Sequence, residues 1–348
     1  MKVAIDISST TDGHRIRGIG SYTRELFSAL KAYESNLEIV GFTSQGEIPS
    51  DSSVIHYPYF DPFGSLIPLN QKAKIVVTVH DFIPLLFPLH FPAGIRGQLR
   101  WHVQRFLLRR VDGVIAVSES TKNDCIRLTG INQSNIRTIY SAGSDSFTAR
   151  LSKSELHDIK NKYHLPDKFL LYVGDATWNK NLPRLIEAAK LSGIPLVMVG
   201  KALVEQFDHT NKWNNDLVKV NDLTRNTTLV HKIGYIPGKD LLGLYQLALM
   251  LAVPSLYEGF GFPALEAMMA GCPVLTSKKG AIPEVVGDAA FFVDPENVGS
   301  IVEGITDLAN SENKRRNLIE KGRVQYRKFS WQKTAEMTVE YYQQVVAR

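Results

Sequence analysis

The stretch Met250-Leu251-Ala252-Val253-Pro254-Ser255-Leu256-Tyr257-Glu258-Gly259-Phe260-Gly261-Phe262-Pro263-Ala264-Leu265-Glu266 decides the reading of this chain. Its first four residues are apolar without interruption and bounded by Pro254, the pattern of a parallel strand covered on both faces. Gly259 and Gly261 then give a loop in which backbone N–H groups can approach a ligand closely. Pro263 stands where a helix would begin, a position whose N–H has no helical partner in any case. Strand, glycine loop and helix in that order place a helix N-terminus, which favours an anion, behind the loop. Glu258 lies in the loop and Glu266 about one turn into the helix, so both can face one ligand. Carboxylates repel a phosphate but suit the hydroxyls of a sugar or ribose beside it. The plainer alternative is a helix whose early Glu complements the dipole.

Working outward, the same alternation recurs on both sides. In the first half, strands are expected at Val3–Ile7, Leu37–Phe42, Ser53–Tyr57, Lys74–Val79, Gly113–Val117 and Ile136–Ile139, with helices at Tyr22–Leu30, Ile95–Arg110 and Ser120–Leu128. Apolar runs thin out between Ser141 and Lys168, where an inter-domain linker is placed. A second alternating unit follows, with strands at Phe169–Gly174, Pro195–Gly200, Thr228–Val230, Met250–Val253 and Pro273–Thr276. Its helices are expected at Leu182–Leu191, Lys239–Leu247, Pro263–Ala270 and Val298–Ala309, and a last helix starts near Ser330. The pattern predicts an α/β protein of two doubly wound, Rossmann-like domains, 1–150 and 151–330, facing each other across a cleft. Strand-end loops of both halves should open on that cleft.

Composition narrows the function classes. The 348 residues are 44% hydrophobic and 22% charged, which excludes a disordered or fibrous chain. Lys and Arg exceed Asp and Glu by 40 to 35, a net charge of +5 that requires no nucleic-acid partner. Cys125 and Cys272 are the only cysteines, so no disulfide scaffold and no cysteine zinc site is expected. No run is apolar over the roughly 18 residues of a membrane span. Met1–Ile7 reads as a strand, since Asp6 interrupts its apolar run, and a cytoplasmic protein is expected. Arg17-Gly18-Ile19-Gly20 is no dinucleotide fingerprint: Thr23 stands where the third glycine belongs, which argues against a dehydrogenase.

With these residues in view, the sequence resembles the retaining glycosyltransferases of the two-domain GT-B fold, specifically family 4. The family's E-x7-E stands here as Glu258 to Glu266. The resemblance runs along essentially the whole chain, through Arg17–Tyr22, Val79-His80-Asp81, Val114–Lys122, Tyr172-Val173-Gly174 with Lys180-Asn181, Ala270–Val274 and Gly280–Ala289. It implies transfer of a sugar from a nucleotide-sugar donor to a glycan or lipid-linked acceptor, with retention at the anomeric carbon. Glu258 would bind donor-sugar hydroxyls, with N–H groups of Gly259, Phe260 and Gly261 nearby, and Glu266 would hold the ribose hydroxyls. Lys180 would offset diphosphate charge. Gly18 and Gly20 would form the N-terminal loop where diphosphate and acceptor meet, and His80 would sit over the donor sugar. The C-terminal helix, 331–348, would cross back onto the first domain.

One position departs from that pattern: the family usually has Arg immediately before the lysine, and Asn179 stands there, with Asp175 close by. Lys180 then acts alone, or Arg184 or Arg17 substitutes. No Asp-x-Asp occurs and the histidines lack ligand spacing, so no metal and no other cofactor is expected. No carboxylate is left over for a covalent intermediate, which would need one about 3 Å from the anomeric carbon. A front-face transfer is therefore expected, the departing phosphate accepting the acceptor's proton. A 2-epimerase-like enzyme on the same architecture, or a non-catalytic binding subunit, would be the alternatives. Loss of Glu258 or Lys180 would mark the latter, but both are present.

Residues 96–110 hold five Arg and no acid. They read either as a basic amphipathic helix for the inner face of an anionic membrane or as an ordinary sheet-covering helix with a basic outer face. Sugar identity (a mannose or glucose type is the expectation), nucleotide base and acceptor rest on pocket shape, which motif spacing does not encode.

Overall fold

The computed structural model describes residues 1–11, 18–34, 36–68 and 72–348. Its contacts divide the chain into two compact units. The first comprises Met1–Pro88, Ala93–Ala142 and Phe329–Arg348, and the second Leu89–Pro92 and Gly143–Lys328.

The first unit is built on β1 (Lys2–Asp6), β2 (Glu38–Phe42), β3 (Val54–Tyr57), β4 (Lys74–Val79), β5 (Gly113–Ala116) and β6 (Ile136–Thr138). They form one parallel sheet in the order β2-β1-β3-β4-β5-β6. Strands β3 and β5 are buried along their whole length, His56 of β3 included, as in a parallel sheet covered on both faces. The helix Gly18–Tyr33 packs on the C-terminal helix Trp331–Val346. That last helix is capped by the Ser330 hydroxyl and buries Tyr341, Tyr342 and Val345. The Tyr341 hydroxyl accepts from the Val114 N–H at 3.1 Å and donates to the Asn135 carbonyl at 2.8 Å. Gly113 lets the helix come this close, since a Cβ there would lie 2.8 Å from Val345 and 3.0 Å from Tyr341.

The second unit carries β7 (Leu170–Val173), β8 (Leu196–Val199), β9 (Val230–Ile233), β10 (Met250–Val253), β11 (Val274–Ser277) and β12 (Ala290–Val293). The order is β12-β11-β10-β7-β8-β9, again all parallel. Helices Leu182–Ser192, Asn215–Thr224 and Val298–Asn310 pack together, and helices Lys153–Lys162, Gly238–Leu247, Phe262–Ala270 and Glu312–Gln325 form the other packed set. The stretch read as linker holds the helix Lys153–Lys162, opened by a reciprocal Ser152–Glu155 capping box. Its sole fully buried side chain is Ile159, so no apolar period announces it.

Among the described residues no helix is long and apolar enough to cross a membrane.

Candidate active site

Strand order in the second unit reverses between β7 and β10: the chain runs outward from β7 to β8 and β9, then returns to lay β10 on the other side. Loops leaving the carboxyl ends of two such strands diverge and leave room for a ligand. The loop after β7 carries Lys180, and the loop after β10 carries Glu258.

These two side chains meet. The Lys180 ammonium donates to both Glu258 carboxylate oxygens at 2.8 Å, with side-chain exposures of 18% and 12%. The Ser255 hydroxyl donates to Glu258 Oε1 at 2.7 Å, so the carboxylate is fixed from two sides. Gly280 closes a third: with φ +58°, its missing Cβ would lie 2.4 Å from the Glu258 carbonyl oxygen, and the Ala281 N–H donates to that oxygen at 2.9 Å. Only glycine fits both the left-handed backbone and the approach.

Asn179 is 4% exposed, and its side chain is taken up by bonds within the fold. Its amide donates to the Tyr257 carbonyl at 3.0 Å and accepts from the Thr177 hydroxyl at 2.8 Å, while its own carbonyl accepts from the Leu256 N–H at 2.7 Å. The residue that departs from the family pattern therefore holds the Glu258 loop to the Lys180 turn. Asn181, in the left-handed region at φ 59° and 1% exposed, donates to the carbonyls of Pro254 and Pro295 at 3.0 and 2.6 Å. Arg184, a suggested substitute cation, donates to the Asn181 side chain at 2.9 Å. Arg17 lies outside the described residues. Asp175 lies in the loop after β7, where its carbonyl accepts from the buried Tyr172 hydroxyl at 2.5 Å.

Gly261 is the N-cap of the helix Phe262–Ala270, with φ +103°, and Pro263 stands in its first turn. Gly259 and Phe260 are buried in the turn before it. Glu266 is one turn on and makes no bond to Lys180 or Glu258. It accepts from the Tyr245 hydroxyl at 2.9 Å, and burial pushes its carboxyl up to about 7 against the ordinary 4.5. It keeps a partly exposed surface.

His80, Gly18 and Gly20 belong to the first unit. His80 follows β4, and its Nε2–H donates to the Pro58 carbonyl at 2.9 Å. Its ring packs edge-on to Tyr22 with centroids 4.7 Å apart, and its carbonyl accepts from the Thr121 hydroxyl at 3.0 Å. Burial lowers the His80 imidazole to about 4, so it is neutral at pH 7. The neighbouring Asp81 carboxylate accepts from the Ile83 N–H at 2.9 Å, at the start of the next short helix. Gly18 and Gly20 correct the expectation of a loop: they form the first turn of the helix Gly18–Tyr33. Burial of Gly20, Tyr22 and Thr23, with a 2.9 Å bond from Ser9 to Thr23, starts the helix before the apolar period visible at Tyr22.

Sequence reading missed three supports. Ser255 lies inside the motif, and a hydroxyl three residues before Glu258 was the available signal. Asn181 was in view without a role. Tyr245, 21 residues before Glu266, gives no sequence signal. Behind His80, a buried chain links Tyr22 to Thr78 at 3.4 Å, Thr78 to His56 at 2.7 Å and His56 to Tyr342 at 2.6 Å. Among the described residues no group of three or more His, Cys, Asp or Glu gathers to hold a metal ion.

The family model described as "Glycosyl transferases group 1" matches residues 153–325, and that of "Glycosyltransferase Family 4" matches residues 48–142. The serotype-specific mannosyltransferase WbdA of Escherichia coli is 30% identical over 279 residues, 78% of this chain and 33% of WbdA. The chain thus spans about a third of the length of this relative. The O-antigen chain mannosyltransferase B of Escherichia coli is 29% identical over 278 residues, covering 78% of this chain and 71% of that protein. In structure, Anabaena Alr3699/HepE in complex with UDP and glucose superposes with a TM-score of 0.74 at 18% identity, covering 99% of this chain and 100% of that one.

Proposed function

We propose that the chain is a GT-B glycosyltransferase that transfers a hexose of the mannose type from a nucleotide sugar to a glycan or lipid-linked acceptor, with retention; the two family models, which match residues 48–142 and 153–325, support this reading. The mannose preference follows the names of the curated relatives. In this reading the second unit binds the donor and the first serves the acceptor.

The observation that carries the proposal is the Lys180–Glu258 pair at the switch point between β7 and β10. An ammonium and a carboxylate held 2.8 Å apart match a ligand with an anionic diphosphate next to a hydroxyl-rich ring. On donor binding Lys180 turns to the diphosphate, and Glu258, still held by Ser255, accepts from sugar hydroxyls. Backbone at Gly259, Phe260 and Gly261 lines the same ligand, and Glu266 accepts from the ribose hydroxyls. As the family resemblance implies, His80 is assigned to the donor sugar, and Gly18 and Gly20 to the diphosphate where it meets the acceptor.

The reaction proceeds on one face. The bond between the anomeric carbon and the phosphate oxygen breaks, and that oxygen takes the electron pair. The acceptor hydroxyl attacks the same face as its proton passes to the departing phosphate. Lys180 stabilises the charge that develops there, without a metal ion in this reading. In this reading Lys180 and Glu258 are catalytic residues together with His80.

The test incubates the protein with UDP-, GDP- and ADP-sugars and a panel of glycan and lipid-linked acceptors, with and without EDTA. Expected are release of the nucleoside diphosphate only with acceptor, a product of unchanged anomeric configuration by NMR, and full activity in EDTA. Donor conversion without any acceptor would point to the epimerase-like alternative, and an inverted product would refute the front-face route.

A further inference from the structure

The helix Gly94–Leu108 turns Gly97, Gln104 and Leu108 inward. Gln104 fixes its rotation: the amide donates to the carbonyls of Asp61 and Ser65 at 3.0 and 2.6 Å and accepts from the Ile67 N–H at 3.2 Å. On the opposite side stand Ile95, Leu99, Val103 and Phe106, exposed by 87%, 66%, 37% and 52%. At 3.6 residues per turn these four fall within an arc of about 80°, roughly half a turn from the buried face. The helix is therefore apolar on two opposite sides, and the sheet accounts for only one of them. An ordinary sheet-covering helix with a basic outer face would not have this second stripe.

Arg96, Arg100, Arg105, Arg109 and Arg110 flank the stripe, all exposed, with no Asp or Glu anywhere between Asp81 and Asp112. None of the five forms an ion pair among the described residues; Arg110 instead lies over the Phe106 ring at 4.1 Å. A protein partner offers both signs of charge, and a second copy of this chain would set five more arginines against these five. A continuous anionic surface with an apolar layer beneath it fits both features.

We propose that the helix Gly94–Leu108 lies in the surface plane of an anionic lipid bilayer, Ile95, Leu99, Val103 and Phe106 entering the acyl boundary and the arginines meeting lipid phosphates. The inference stands apart from the transfer reaction and is tested without it. The full chain is sedimented with vesicles of phosphatidylcholine alone and of an equal mixture with phosphatidylglycerol, at low and high salt. Wild type should pellet with the anionic vesicles, stay in solution with the neutral ones, and lose binding as salt rises. Leu99→Glu with Phe106→Glu should weaken partitioning by about tenfold or more, and Arg96→Gln with Arg109→Gln by a smaller factor. All these side chains are exposed, so melting temperatures should match wild type. If the glutamate pair unfolds, Ile95→Ser with Leu99→Ser gives the same readout. Wild type remaining in solution with anionic vesicles, or variants that bind as well as wild type, would overturn the proposal. So would a concentration-dependent dimer that Leu99→Glu dissolves, because the stripe would then belong to a second copy.

Discussion

Glu266 gives the sharpest test of the donor assignment, because a carboxyl that ionises near 7 ties ligand binding to pH. Ribose hydroxyls donate, so they bind the charged carboxylate more strongly than the acid, which keeps only its carbonyl oxygen as a weaker acceptor. With a free-site value of about 7, roughly one site in ten is ionised at pH 6 and nine in ten at pH 8. Nucleotide affinity should accordingly weaken from pH 8 to pH 6, by up to about tenfold. The terminal phosphate of a free nucleoside diphosphate titrates nearby, with a second pKa of about 6, so the measurement is a comparison: isothermal titration of wild type and Glu266→Gln with the same nucleotide across that range. The extra slope in wild type is the quantity of interest. Stability runs the other way. The folded carboxyl holds its proton to about 7 while the unfolded one releases it near 4.5, so the folded state loses stability as pH rises through this window. The loss is at most about 3 kcal/mol, an upper bound because part of the side chain is exposed. Unliganded Glu266→Gln should therefore melt higher than wild type at pH 8 and equally at pH 4. Parallel affinity curves for the two proteins would refute the ribose role, and parallel stability curves would refute the raised ionisation itself.

Lys180→Ala leaves Glu258 with Ser255 as its remaining fixed donor; stability should fall by about 1–3 kcal/mol and the transfer rate by about 10²–10³-fold, read from melts and initial rates. Gly280→Ala forces a Cβ against the Glu258 backbone at φ +58°, so a loss above about 1 kcal/mol should come with reduced activity although the residue bears no reactive group. Asn179→Ala should cost about 1–3 kcal/mol by freeing the Tyr257 carbonyl, and Asn179→Arg should lower stability as well, with no gain in donor affinity. Burial holds His56 at about 3 in the folded state against 6.5 unfolded, so stability is lost as pH falls below 6.5; His56→Asn should flatten that acid limb in urea titrations.

The parallel sheets were legible because many of their strands are short unbroken apolar runs, such as Met250–Val253 and Leu196–Val199. Elements without that signature were not. Glu312–Gln325 buries only Gly322 and Gln325 completely, so it has no apolar period. Ala290–Val293 does carry the signature, Ala-Phe-Phe-Val, but it is a four-residue edge strand directly behind a motif read for its spacing alone. β9 begins at Val230, two residues beyond the expected strand start at Thr228, with all four of its residues only partly buried at the sheet edge. For the site, residue types at fixed spacing marked Lys180 and Glu258, and the structure joins them. What spacing cannot carry is the direction of a side chain. Asn179 reads as a missing cation beside Lys180, yet it points into the fold and ties two loops. Gly18 and Gly20 read as loop from the family resemblance, but burial of the residues after them extends the helix back over both.

The helix Trp331–Val346 has a consequence for how the chain is made. It supplies Tyr341 to β5 and Tyr342 to His56 on β3, yet it leaves the ribosome after every residue of the second unit. The usual order, in which the domain synthesised first also folds first, is thereby inverted. The first sheet must wait, with Gly113 and the adjoining strand uncovered, until translation has passed residue 346. Pausing or truncation late in the message would leave a finished second unit attached to an unfinished first one, and the nascent first sheet is where a chaperone would be needed longest.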